Sequence, residues 1–164
     1  MGSNKLKVGV SSCLLGEPVR YNGAHKRNQT VIDLLGDQFE AVSVCPEFEM
    51  GVPREPVQLV EGGKATGVDS GKDWTEAMHG FNAEKLEALK RLNVSGFIFK
   101  TRSPSCAMHD APVYMEKGKV EKSAGLFARA FMKHFPHIPV IDEEQLQDKK
   151  ARENFVAQLR REEE

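Results

Sequence analysis

Residues 5–13, KLKVGVSSC, read as a short buried β-strand, Lys5–Ser12, with a cysteine at its carboxyl end. Three more segments share its character. They are Phe39–Val44 (FEAVSV), Gly96–Lys100 (GFIFK) and Ile138–Ile141 (IPVI). Each is short, rich in β-branched or aromatic residues, and bounded by glycine, proline or polar residues, as strands are.

Helical patterns fill the intervals. Arg27–Leu35 stops at Gly36. Trp74–Leu92 opens on Asp73 with Glu76 three residues on, and Gly80 is the residue that could break it. Ala124–Phe135, with Ser123 as its expected cap, places Leu126, Phe127, Ala130 and Phe131 on one face and stops at Pro136. Lys149–Arg161 is expected to be the last helix, within a C-terminal segment 149–164. Strands alternating with helices predict a Rossmann-like α/β fold: a mainly parallel sheet of about four core strands, flanked by helices. Two hairpin-like insertions are expected, one turning at Glu61-Gly62-Gly63-Lys64, the other running through Val113–Val120 and turning at Lys117-Gly118.

The chain has 164 residues, 40% hydrophobic and 29% charged, which suits one domain spanning 1–164. Residues 1–4 read as an added or disordered start. With 23 Lys+Arg against 24 Asp+Glu, no global charge drives it onto nucleic acid or membrane. The balance is uneven: residues 1–27 carry Lys5, Lys7, Arg20, Lys26 and Arg27 against Glu17 alone. That suits either a small anionic ligand or an ordinary solvated surface. No run of 18 apolar residues and no signal peptide is visible, so the expected location is the cytoplasm. Three cysteines there are poor material for disulfides.

Those cysteines, Cys13, Cys45 and Cys106, follow the first, second and third strands. Open parallel sheets bind ligands outside the carboxyl ends of their strands, so all three fall at equivalent edge positions. Pro46 and Pro104 cannot continue a ladder, and Gly16 and Gly23 let backbone approach a bound object. One such cysteine alone would read as a small buried hydrophobe. Three together favour a metal site. Zinc would need a fourth ligand, with His25 or His109 the nearest. An iron–sulfur cluster held by three thiolates would keep one iron open as a Lewis acid for a soft atom such as sulfur. A phosphatase loop from Cys13 to Arg20 has six intervening residues rather than five.

Polar residues accompany each cysteine. Arg20 could bind a carbonyl or phosphate bidentately, and Tyr21 could stack on a flat ring. Glu47, two residues past Cys45, could deliver a proton if its environment raised its pKa; Glu49 is a weaker candidate. Arg54 lies in the stiff segment Pro53–Pro56 and serves either the site or an ion pair. Ser103 and Ser105 put two hydroxyls beside Cys106, and Lys100, Arg102 and Asp110 are close by in sequence.

The motifs Cys13-Leu14-Leu15-Gly16 with Val19-Arg20-Tyr21-Asn22-Gly23, Cys45-Pro46-Glu47 with Pro53-Arg54, and Ser103-Pro104-Ser105-Cys106 resemble those of the thiouracil desulfurase family, over about Lys5 to Phe155. The resemblance implies that Cys13, Cys45 and Cys106 ligate a [4Fe-4S] cluster with one open iron. It implies a non-redox hydrolytic desulfuration of a thiolated pyrimidine, with Glu47 shuttling the proton and Ser103 positioning the ring. Ala107 departs from the glycine found after the third cysteine in many relatives. Arg152-Glu153-Asn154-Phe155 resembles a junction that leads, in two-domain relatives, to a domain implicated in handling thiolated RNA. Because the sequence ends shortly after it, the expected partner is a small thiolated base or nucleotide, and stable nucleic-acid binding is not expected. The basic residues Arg20, Lys26, Arg54, Lys100 and Arg102 would suit a phosphate-bearing substrate. A homodimer is left open.

Overall fold

The computed structural model describes residues 5–16, 27–36, 38–50 and 56–161. A four-stranded sheet forms the centre, built from β1 (Leu6–Ser11), β2 (Phe39–Val44), β5 (Gly96–Phe99) and β8 (Val140–Asp142) in the order β2-β1-β5-β8. Every neighbouring pair is parallel. The order reverses between β1 and β5: the chain first moves from β1 outward to β2, then crosses back to β5. Crevices at such reversals are where open α/β sheets bind ligands.

Residues alternate between the two faces of the sheet. Val8, Val10 and Ile98 pack with Val31 and Leu35 of α1 (Gln29–Leu35) and with Phe155 and Leu159 of α5 (Lys149–Arg161). Phe97 and Phe99 pack on the other face, with Leu86 and Leu89 of α3 (Thr75–Leu92) and Phe127 and Phe131 of α4 (Leu126–His134). Phe97 and Phe99 stack with centroids 4.2 Å apart. Gly9 sits opposite Phe97 in register, and a Cβ there would lie 2.2 Å from the ring. Glycine in mid-strand is therefore what lets the aromatic layer close over β1.

The two insertions are hairpins, β3 (Val57–Val60) with β4 (Lys64–Gly67) and β6 (Ala111–Tyr114) with β7 (Val120–Ser123). They are joined by parallel pairing of β3 with β6, giving a second sheet of order β4-β3-β6-β7. Gly80 does not break α3, which is continuous across it. Ser123 does not cap α4. It belongs to β7, and the helix begins at Leu126 after Gly125. The fourth core strand starts two residues later than the IPVI segment, because its pairing with β5 runs from Val140 to Asp142. No helix among the described residues is long and apolar enough to cross a membrane.

Candidate functional site

The carboxyl ends of β1, β2 and β5 open onto one cavity of about 620 Å³. Cys13, Cys45, Cys106, Glu47, Ser103 and Ser105 all line it. Cys13 lies in a 3-10 turn, Ser12–Leu15, closed by Gly16 at φ 91°, a conformation that favours glycine. Cys45 precedes α2 (Pro46–Glu49), whose Pro46 takes a first-turn position where its missing N–H costs nothing. The Cys45 backbone N–H donates to the Glu49 carboxylate at 2.8 Å, and Glu49 also pairs with Lys85 of α3 at 2.7 Å. Glu49 thus ties α2 to α3, and of the two α2 carboxylates Glu47 is the one that lines the cavity.

Cys106 is buried against the aromatic face, on a loop held from three sides. The first turn of α4 has no side-chain cap. Its free backbone donors go instead to the cysteine loop, Leu126 N–H to Pro104 O at 2.9 Å and Ala128 N–H to Ser105 O at 2.9 Å, with Gly125 N–H to Ala107 O at 2.8 Å just before them. Inside the loop, Ser103 Oγ accepts from the backbone N–H of Cys106 (2.9 Å) and of Ser105 (3.2 Å). The two serine hydroxyls lie 3.2 Å apart. Ser105 Oγ is 3.3 Å from Glu47 Oε1 and 3.7 Å from Cys106 Sγ, so its single proton has a carboxylate and a thiol as acceptors.

The three cysteines share one electrostatic field. Burial pushes the Cys45 thiol up to about 12; the Phe48 backbone offsets this in part, and Cys106, Glu47 and Cys13 add to it. Burial likewise pushes Cys106 up to about 12, against hydrogen bonds from Ser11 and Ser105, with Cys13 and Glu47 raising it further. Both thiols therefore stay protonated at neutral pH unless a cation compensates them. In the metal-free protein, iodoacetamide is expected to modify Cys45 and Cys106 more slowly than a free cysteine, by about tenfold or more. The thiolate is about a thousandfold scarcer, and its greater intrinsic reactivity recovers part of that. Mass-spectrometric rates at pH 8 measure it. The same shift makes the metal-free fold lose stability as pH rises from the ordinary thiol value of 9.0 toward about 12, because the unfolded chain releases those protons first.

The other expected site residues fall into two groups. Arg20, Tyr21 and Arg54, with His25 and Lys26, lie outside the described residues. Lys100 and Arg102 line the cavity but are paired, Lys100 Nζ with Glu143 at 3.0 Å and Arg102 with Glu144 at 2.8 Å. Arg102 adopts φ 60°, and Asp110 steadies that turn by accepting its backbone N–H at 2.8 Å. His109 is largely exposed and stands 3.9 Å from Asp142. The cavity is also lined by Arg27, from the basic N-terminal segment, and by residues not singled out as site candidates in the sequence, among them Ser11, Thr101 and Glu143. Glu143 directly follows β8, so the strand-end rule that singled out the cysteines could have found it. Among the described residues, no three His, Cys, Asp or Glu side chains meet closely enough to hold a single metal ion.

Comparison with known proteins places this geometry in context. The family model described as 2-thiouracil desulfurase matches residues 8–143. The uncharacterized protein YbbK of Bacillus subtilis (strain 168) is 39% identical over 110 residues, covering 59% of this chain and 70% of that protein. A solved structure, described as the [4Fe-4S]-dependent thiouracil desulfidase TudS, superposes with a TM-score of 0.71 at 30% identity, covering 87% of this chain and 94% of that one.

Proposed function

Since the chain belongs to the 2-thiouracil desulfurase family, we propose that it is an iron–sulfur-dependent desulfidase acting on thiolated pyrimidines: thiouracil, 4-thiouridine or its monophosphate. The net reaction exchanges one atom: the thiocarbonyl and water give the oxo base and hydrogen sulfide, with no change in redox state. The observation that carries this reading is the convergence of three cysteines, from three separate strand ends, on one cavity that also holds Glu47 and two serines.

The donor set fits a cluster. Three soft sulfurs in one field, with Cys106 buried and Cys13 and Cys45 partly buried, match the demand of a group that binds thiolates and supplies positive charge in return. Cys13, Cys45 and Cys106 would hold a [4Fe-4S] group. When bound, such a group supplies a Lewis-acidic iron lacking a protein thiolate, which polarises a carbon–sulfur bond.

The remaining chemistry belongs to the chain. Glu47 takes a proton at its carboxylate from the attacking water and returns it to the departing sulfur. Ser105, at hydrogen-bond distance from Glu47 Oε1, orients that carboxylate. The oxygen of Ser103 is held by two backbone N–H groups, which leaves its own proton for Ser105 or for a ring heteroatom of the substrate. Arg20, Tyr21 and Arg54 are assigned to the substrate on sequence grounds, and Arg102 to the cavity rim.

Sulfide release tests the reading. Protein made and handled without oxygen should be brown, carry about four irons per chain, and liberate sulfide and uracil from 4-thiouracil in equal amounts. Iron-loaded protein that releases neither product from the free base, the nucleoside or the monophosphate would overturn it.

A further inference from the structure

Glu143 is the first residue beyond β8, and it is only 7% exposed. Its carboxylate is fully engaged. Oε1 accepts the Thr101 backbone N–H at 2.8 Å. Oε2 accepts the Thr101 hydroxyl at 2.8 Å and pairs with Lys100 Nζ at 3.0 Å. The Lys100 ammonium is engaged as well, with Thr101 O at 3.0 Å and Thr101 Oγ1 at 3.2 Å as its other acceptors. The Lys100 backbone N–H donates to Ser11 Oγ at 3.1 Å, at the end of β1, and Ser11 also bonds the Cys106 thiol.

These contacts run across three adjacent strand ends, from β8 through β5 to β1. They clamp the root of the loop that carries Ser103, Ser105 and Cys106. The far side of that loop is fixed by α4, and its first turn, at Arg102, by Asp110. Both carboxylate oxygens bond to Thr101 or Lys100, and the Lys100 ammonium bonds to Glu143 and Thr101, so the pair is built into the cavity wall. Stability alone does not explain the pair, since buried ion pairs contribute little net stabilisation compared with apolar packing.

We propose that Glu143 is a positioning residue for the reaction: through Thr101 and Lys100 it sets the loop of Ser103 and Cys106 in register with the end of β1. Lys100 is then its charge partner in the cavity wall. The activity arm of the test rests on the desulfidase reading; the loop itself can be followed independently.

The experiment compares wild type, Glu143→Gln, Glu143→Ala and Thr101→Val. It measures amide hydrogen exchange over residues 101–107 with and without iron, the electron paramagnetic resonance spectrum of the reduced iron-loaded protein, and kcat and KM for 4-thiouracil. For Glu143→Ala, loop exchange should speed up about tenfold or more, as loss of charge-assisted bonds requires. Its kcat should fall roughly 100-fold, with KM within about threefold of wild type and an altered resonance spectrum. Glu143→Gln keeps an acceptor for Thr101 N–H and should recover a large part of both losses, and Thr101→Val should show a milder form of the same pattern. Unchanged loop exchange and kcat in Glu143→Gln and Glu143→Ala would overturn the proposal, as would a rise in KM alone, which marks a substrate contact. If Glu143→Ala does not fold, Glu143→Gln and Thr101→Val decide on the same readouts. If wild type releases no sulfide, the desulfidase reading fails, while exchange and resonance still judge Glu143.

Discussion

Replacing Glu47 with alanine is expected to lower sulfide release from 4-thiouracil by about 10²- to 10⁴-fold while leaving the iron content and colour of the protein intact. Glu47 is in the first turn of α2, directly after the Cys45-Pro46 corner, and lines the cavity. Its carboxylate accepts a hydrogen bond from Ser105 Oγ at 3.3 Å. The tie between α2 and α3 is made by Glu49, with its bonds to the Cys45 N–H and Lys85. Removing Glu47 should spare the scaffold and remove proton transfer. Glu47→Gln, which keeps the shape and the contact to Ser105, should be about as inactive as Glu47→Ala. Ser105→Ala, which only loosens the carboxylate, should lose much less. Turnover within a few-fold of wild type in Glu47→Ala would remove Glu47 from the reaction. Loss of iron would make it a residue of site integrity instead.

The second large effect is expected at a residue with no chemistry of its own. A Cβ on Gly125 would lie 2.5 Å from the Ser105 carbonyl carbon, 2.7 Å from its oxygen and 2.8 Å from the Cys106 nitrogen. All three are backbone atoms, so no rotamer relieves the clash. The Gly125 conformation, φ −66° and ψ 159°, is one that alanine adopts freely, so the penalty is steric. Gly125→Ala must push the start of α4 away from the 104–107 loop and break the carbonyl contacts that cap it. The expected cost is about 1–3 kcal/mol of stability. A displacement approaching 1 Å at Cys106 and Ser103 should cost roughly 100-fold in turnover, with iron retention reduced as well. Gly80→Ala is the matched control: mid-helix in α3, with nothing within 4 Å of the added methyl, it should raise stability by about 0.5–1 kcal/mol. Thermal melts, iron assays and sulfide release on the two variants check the contrast. A Gly125→Ala protein with wild-type iron content and turnover would show that the loop tolerates the shift.

Local pattern carried the central sheet well. β2 occupies Phe39–Val44 and α5 occupies Lys149–Arg161, as their composition indicates. The departures occur where partners distant in sequence take over. Ser123 has the chemistry of a helix cap, but β6 claims it: Ser123 pairs with Ala111. The donors it would have satisfied go to Pro104 and Ser105, which no local window around residue 123 contains. Both hairpins are visible from their glycine turns, whereas their union through Leu59–Val113 and Val60–Tyr114 is a non-local pairing. α2, at four residues, is too short to leave a periodicity. At the site, the cysteines and Glu47 stood out because each follows a strand. Glu143 follows one too, but the acidic run Asp142-Glu143-Glu144 looks like solvated surface until β8 is laid beside β5.

The three thiols come from three strand ends, with two of the four central strands lying between the first and the last of them in sequence. On the proposed ligation, only a segment spanning residues 13–106 possesses the complete donor set. A ribosome-bound segment ending before β5 offers two sulfurs and no cavity, and an unfolded chain offers three that rarely meet. On that ligation, iron capture is coupled to folding of the sheet that brings the three strand ends together. Cofactor and native state are thermodynamically linked, so each loaded molecule is also one held against unfolding and degradation.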